Sequence, residues 1–255
     1  MWRRLRIAVL LLILAFVALN TYFDRVYSTD WDSPLRVAVF PINADGSAVS
    51  ERYIRRLSSD SFADIEAFFE QEAKEYAVQM ERPIRLTLAP PLAQSPPVLA
   101  PDPNMLSAAW WSLRMRFWAW RVDAPGPAPD IKLFVLYHDP ALSPVVPHSL
   151  GAQKGLFGVV HLFADAGMQG SNDAVLAHEL LHTLGATDKY DLRTNQPTQP
   201  GGYAEPDRDP LYPQSFAELM GGRIPESSTE STTPESLQQV IIGAKTASEI
   251  GWSKR

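Results

Sequence analysis

The run His178-Glu179-Leu180-Leu181-His182, followed by Gly185 and Asp188, could do chemistry. On a helix, residues four apart share a face, with Cβ atoms about 5–6 Å apart. Two imidazoles so placed can reach one zinc ion at about 2.0–2.1 Å each. Glu179 falls beside that ion, where it can take a proton from a water held there. Gly185 can adopt positive φ, end the helix and swing the chain back. Asp188 then arrives three residues later with an oxygen for a third ligand.

The surrounding pattern predicts the helix this chemistry needs. At 100° per residue, Leu176, Ala177, Leu180, Leu181 and Leu184 form one apolar arc, and His178 and His182 border it. Ser171 or Asn172 is the expected cap, and Asp173 suits the positive helix end. Gly155–Ala164 reads as a strand feeding this helix. As an edge strand it could pair with an extended peptide.

Further strands are expected at Arg36–Ile42, Ile84–Ala89 and Asp130–His138. Helix is expected over about 50–80 with a break near Ser58–Ser61, and Pro140 to Lys154 reads as a loop. Thr233-Pro234-Glu235 looks like a helix start, with Thr as cap and Pro at the first helical position. The order of elements predicts an α+β fold: a twisted mixed sheet, an active-site helix and a C-terminal helix. His138, His148 and His161 read as surface or packed residues rather than ligands.

The chain has 255 residues, 45 % of them apolar, enough for one sizeable domain and a tail. Its net charge of −6 argues against nucleic acid as a partner, which wants a basic face. There is no cysteine, so disulfide frameworks and thiolate zinc sites are excluded. Arg3, Arg4 and Arg6 precede an apolar run at Ile7–Leu19 with no good cleavage site after it. Residues 1–23 are therefore expected to form an uncleaved signal-anchor, a transmembrane helix, with a cleaved signal as the alternative. The arginines place the body on the extracytoplasmic side, periplasmic or extracellular. Residues 24–33 read as a stalk, and 34–255 as the domain.

Leu106–Arg121 gathers Trp110, Trp111, Phe117, Trp118 and Trp120 among Arg114, Arg116 and Arg121. Its length predicts helix. It reads as an aromatic core segment with snorkelling arginines, or as a patch for a membrane or a substrate groove.

H-E-x-x-H-x-x-G-x-x-H/D with a methionine turn downstream resembles the signature of the metzincin zinc endopeptidases. His178, Glu179, His182, Gly185 and Asp188 match it, and Met220 looks like the Met-turn methionine. Asp in place of the third His is similar to snapalysin-type enzymes. Gly185–Asp191 is similar to a stretch of immune-inhibitor-A-type peptidases. The resemblance covers about residues 155–252 and implies a zincin/metzincin-like fold, divided at the site into an upper part (34–185) and a lower part (186–255). It implies Zn²⁺ on His178, His182 and Asp188, with Glu179 as general base and Met220 beneath the site. Asp191 is a lesser candidate ligand.

Where astacin-like and serralysin-like metzincins carry a Tyr after the Met-turn, this chain has Gly222. An oxyanion donor would then come from Tyr190, Tyr203 or Tyr212, or zinc alone would serve. The expected function is hydrolysis of peptide bonds in peptide or protein substrates by a membrane-anchored, extracytoplasmic zinc endopeptidase. The alternatives are a zinc amide hydrolase acting on a non-protein envelope substrate and a non-catalytic, zinc-stabilised binding module.

Overall fold

The computed structural model describes residues 30–100, 104–152 and 156–253, with Trp2, Arg6 and Ile7 near the N-terminus. Its architecture is mixed α/β, organised around one five-stranded sheet. The strands are β1 (Leu35–Asn43), β2 (Ile84–Leu88), β3 (Ile131–His138), β4 (Leu150–Ala152) and β5 (Phe157–Phe163), in the order β2-β1-β3-β5-β4. The first three and β5 run parallel, and β4 is antiparallel at the edge. Strands β1 and β3 are buried almost throughout because helices cover both faces, which explains their continuous apolar runs.

On one face lie α1 (Ala48–Ile54), α2 (Ala63–Glu75) and α4 (Gln169–Thr183), packed on Val37, Leu133, Val135 and Val160. On the other lies α3 (Met105–Arg121), over Phe40, Phe134 and Phe157. Ser47 caps α1 by accepting from the Ser50 backbone N–H at 3.0 Å. The expected break before α2 is a 3₁₀ turn at Ser59–Phe62.

The chain after α4 forms two small ladders. In one, β6 (Ala217–Glu218) pairs with β9 (Val240–Ile241), and in the other β7 (Ile224–Pro225) pairs with β8 (Ser231–Thr232). The last helix is α5 (Ala244–Glu249). One apolar core runs from Leu35 through α4 to Trp252, so both expected parts of the domain share it.

The loop at 140–154 and the helix start at Thr233 differ from expectation. Residues 140–154 are not all loop, because β4 lies there and takes the sheet edge from β5. No helix starts at Thr233. The segment runs without regular structure over the first turn of α4, where the Glu235 carbonyl lies against Gly170; a 3₁₀ turn follows at Leu237–Gln239, and the α-helix waits for Gly243 as its N-cap. At the end of the expected stalk, Trp31 is docked on the body. Its indole Nε1 donates to the Ile250 carbonyl at 2.7 Å and its ring meets Trp252 edge-on. The expected transmembrane segment, apart from Trp2, Arg6 and Ile7, lies outside the described residues. Among the described residues no helix is long and apolar enough to cross a membrane.

Candidate metal centre and substrate cleft

Helix α4 carries His178, Glu179 and His182, and its placement is set by side chains rather than by the expected cap. Asn172 lies inside the helix, donating to the Phe163 carbonyl at 2.9 Å and accepting from the Phe163 N–H at 3.2 Å. That pair clamps the first turn of α4 to the end of β5. Ser171 is likewise within the helix, and Asp165 caps the short 3₁₀ turn before it, accepting from Gly167 N–H. Leu176, Ala177, Leu180, Leu181 and Leu184 are all buried, as the periodicity predicts.

The helix ends in a Schellman motif. Gly185, at φ 99°, donates to the His182 carbonyl at 3.1 Å, and Ala186 donates to that of Leu181 at 3.0 Å. The reversal does two things for the site. It puts the Ala186 carbonyl 2.9 Å from His182 Nδ1, and it delivers Asp188. On the other side, His178 Nδ1 lies 2.9 Å from the Leu219 carbonyl, one residue before Met220.

A carbonyl oxygen only accepts, so both Nδ1 atoms carry hydrogen and both neutral rings present lone pairs at Nε2. Those two Nε2 atoms converge on one point, each 3.1 Å from Asp188 Oδ1. Three lone pairs so close repel unless something positive sits among them. Protons on the imidazoles can serve, and so can a cation. In a tetrahedral zinc site with bonds of about 2.0–2.1 Å, neighbouring ligand atoms stand about 3.3–3.4 Å apart. The two observed Nε2–Oδ1 distances are close to that, and the backbone carbonyls orienting both rings are what a metal-binding histidine requires. The donor set fits zinc.

Glu179 also offers a ligand atom, within 4.8 Å of those of the two histidines. Its Oε2 is buried with no hydrogen-bond partner among protein groups. Burial pushes the Glu179 carboxyl above its ordinary pKa, although both histidines and the Gly151 backbone N–H draw it back. Burial would lower His182, but the hydrogen bond to Asp188 and the charge of Glu179 outweigh it and hold its pKa up. Asp188 would be raised by burial, yet its bonds to the two histidines keep it well below the carboxylate range.

Of the three candidate tyrosines, Tyr190 reaches the site. Its ring lies 6.3 Å from that of His178, and burial, then the charges of Asp188 and Glu179, push its hydroxyl up to about 12. Tyr203 and Tyr212 instead bond one another through their hydroxyls at 2.6 Å and do not line the cleft. Asp191 accepts from the backbone of Arg193 and Thr194 and stands outside the ligand set. His161 and His138 share a 2.9 Å contact with each other, and burial lowers the pKa of both.

A cavity of about 340 Å³ opens beside His178 and Glu179, bounded by Val175, Leu219, Tyr190 and Pro234. Strand β4 presses on α4 at Glu179 and His182. A Cβ on Gly151 would stand 2.4 Å from His182 Cβ, so only glycine permits that approach. Among the described residues, no strand pairs with the outer edge of β4.

Two supports of the site, Glu218 and the pairing of Lys189 with Glu249, carry no signal in the motif itself. Glu218 is fully buried; its carboxylate accepts from Gly221 N–H at 2.9 Å and Gly243 N–H at 3.1 Å, fixing the turn around Met220 to α5. Met220 is itself fully buried, and its carbonyl accepts from Lys189 N–H. Lys189, only 2 % exposed, pairs with Glu249 at 2.7 Å, and Glu249 also accepts from Thr187 N–H and Oγ1. Asp188 is thus held from both chain neighbours. Glu218 lies within a stretch whose composition hints at a turn, while nothing in the sequence links residues 187–189 to Glu249.

A scan against protein-family models and a search of curated proteins returned no match to this chain.

Proposed function

We propose that this protein is a metzincin-type zinc endopeptidase. The observation that carries the reading is the convergence of His178 Nε2, His182 Nε2 and Asp188 Oδ1, with both Nδ1 hydrogens committed to carbonyl oxygens. His178, His182 and Asp188 would hold the metal, and the turn at Met220 would support it from below. A bound zinc ion supplies Lewis acidity, polarising the scissile carbonyl and lowering the pKa of water.

The chain's own groups supply the rest. Glu179 takes a proton from the attacking water as its oxygen bonds to the carbonyl carbon. When the C–N bond breaks, Glu179 returns that proton to the leaving amine. Its raised pKa suits both directions of transfer. Tyr190 stays protonated at neutral pH and can donate to the oxyanion, the part that Gly222 cannot play. The outer edge of β4, which no described strand pairs with, offers an extended peptide a place as a further strand, and the cavity beside His178 takes a side chain. The apolar N-terminal run would anchor the enzyme, with its body on the extracytoplasmic side.

Zinc stoichiometry and peptide-library cleavage, measured together for wild type and Glu179→Gln, test the reading. One zinc per chain in both, with cleavage in wild type alone, is expected. No zinc in either overturns the proposal. Zinc in both without cleavage would favour an envelope amide hydrolase or a structural zinc module.

A further inference from the structure

Helix α3 is built the wrong way round for a helix that faces water. Met115 and Ala119 are buried and mark the core side. Counting 100° per residue from Met115, the positions opposite the core are Trp120, Leu113, Leu106, Phe117 and Trp110, spread over about 80° of arc. All five are exposed, between 54 % and 80 %. Met105, at the first turn, is 86 % exposed. A monomeric protein in water rarely leaves so continuous an apolar stripe uncovered.

The charges say what covers it. Arg121 and Arg114 follow the stripe on one side, Arg116 lies beyond its other border, and the helix holds no acidic residue. The chain as a whole is acidic at −6, so this is a local cationic rim on an acidic protein. The Arg121 guanidinium sits over the Phe117 ring at 5.8 Å, and Phe117 lies 6.0 Å from Trp120, so rim and stripe form one surface. Tryptophan and phenylalanine on one line with arginine at its margin is the pattern of a helix lying in a lipid headgroup layer. The apolar run at Ile7–Leu19 would hold the chain at a bilayer already. Finally, α3 covers the face of the sheet opposite α4, so occupying it leaves the cleft open.

We propose that the outer face of α3 docks the domain onto an anionic lipid bilayer, with Trp110, Leu113, Phe117 and Trp120 in the interface and Arg114 and Arg121 against lipid phosphates. The docking stands whether or not the site hydrolyses peptides. It would fix the domain's orientation on the membrane, with the face that carries α4 turned away from the lipid.

The chain has no cysteine, so one introduced thiol reports on one place. A nitroxide on Leu113→Cys in the full chain, reconstituted into phosphatidylcholine–phosphatidylglycerol vesicles, should collide with oxygen and be shielded from an aqueous nickel complex. The same label on Ser59→Cys, an exposed position outside α3, should show the reverse. Replacing Arg114 and Arg121 by glutamine should lower the docked-to-undocked ratio roughly tenfold to thirtyfold in these vesicles, at about 1 kcal/mol per arginine. A label at 113 that stays open to nickel overturns the proposal. So does a label shielded from both oxygen and nickel, which would assign the stripe to a second copy or to the chain's own N-terminal segment. A ratio unchanged by the double glutamine variant overturns the part given to anionic lipid.

Discussion

Replacing Glu179 by glutamine should move activity and stability in opposite directions. The amide keeps the size and shape of the carboxylate but cannot take a proton. A positioned general base contributes about 10²–10⁴-fold, so peptide cleavage should fall at least about a hundredfold. Zinc content should stay the same, because His178, His182 and Asp188 are untouched. Stability should rise. The carboxylate is buried, its Oε2 has no protein partner, and burial raises its pKa, so its charge is a cost that folding bears above the ordinary carboxylate range. A buried polar group left unpaired costs about 1–3 kcal/mol, more when charged. Glutamine keeps the polar atom and sheds the charge, so we expect a gain of about 1 kcal/mol in the metal-free protein. For a fold of this size that is a rise of about 2–4 °C in Tm. Thermal melts of chelator-treated protein near pH 8, beside cleavage of a fluorogenic peptide and metal analysis of the zinc-loaded form, read all three quantities. A variant that cleaves at a tenth of the wild-type rate or better refutes the role of Glu179. A variant that melts lower and loses zinc makes Glu179 a structural ligand.

Four further outcomes follow from the same geometry. Tyr190→Phe should keep one zinc and lose about 10²–10³-fold in kcat if the hydroxyl meets the oxyanion, and an unchanged kcat would leave that donor role unfilled by Tyr190. Glu249→Gln weakens the hold on Lys189 and Thr187, and should lower zinc affinity by about 10–100-fold, as loss of a ligand's support does; competition with a chromophoric chelator checks it. Gly151→Ala places a Cβ 2.4 Å from His182 Cβ and 2.5 Å from the Glu179 carbonyl, and should cost about 1–3 kcal/mol in chemical denaturation together with peptide cleavage. Asp173 is raised to about 7, chiefly by burial, against an ordinary value of 3.8. Between those values the unfolded chain has released its proton while the folded chain still holds it, so stability falls as pH rises from about 4 to 7 and then levels. Asp173→Asn should remove that slope, melting above wild type at pH 8 by a few kcal/mol at most and converging with it near pH 4; parallel curves for the two proteins would contradict the burial argument.

The chemistry proposed for this protein rests on local pattern, and that is why it is legible in the sequence. The spacing of His178, Glu179 and His182, the apolar arc from Leu176 to Leu184 and the glycine that ends α4 all lie within one helix and its exit, where a fixed period translates position into direction. The sheet strands β1, β2, β3 and β5 were legible for the same reason, since runs such as Leu35–Asn43 bury both faces. What the sequence could not decide depends on contacts made across long separations. Asn172 is a good cap by type, but its side chain is spent on the backbone of Phe163. Thr233-Pro234-Glu235 is a good helix start by type, but the segment packs against Gly170 without forming an α-helix. Strand β4 is three residues long, too short to show alternation, and exists because β5 and α4 hold it on two sides. The pairing of Lys189 with Glu249 spans 60 residues, and the grip of Glu218 on Gly243 spans 25. The aromatic composition of α3 was plain, while its direction was not: a helix with apolar residues on all sides has no period that names an inner face. Residue type and local period fixed which groups can act, and only packing in three dimensions decided which neighbours orient them and which apolar face is left outside.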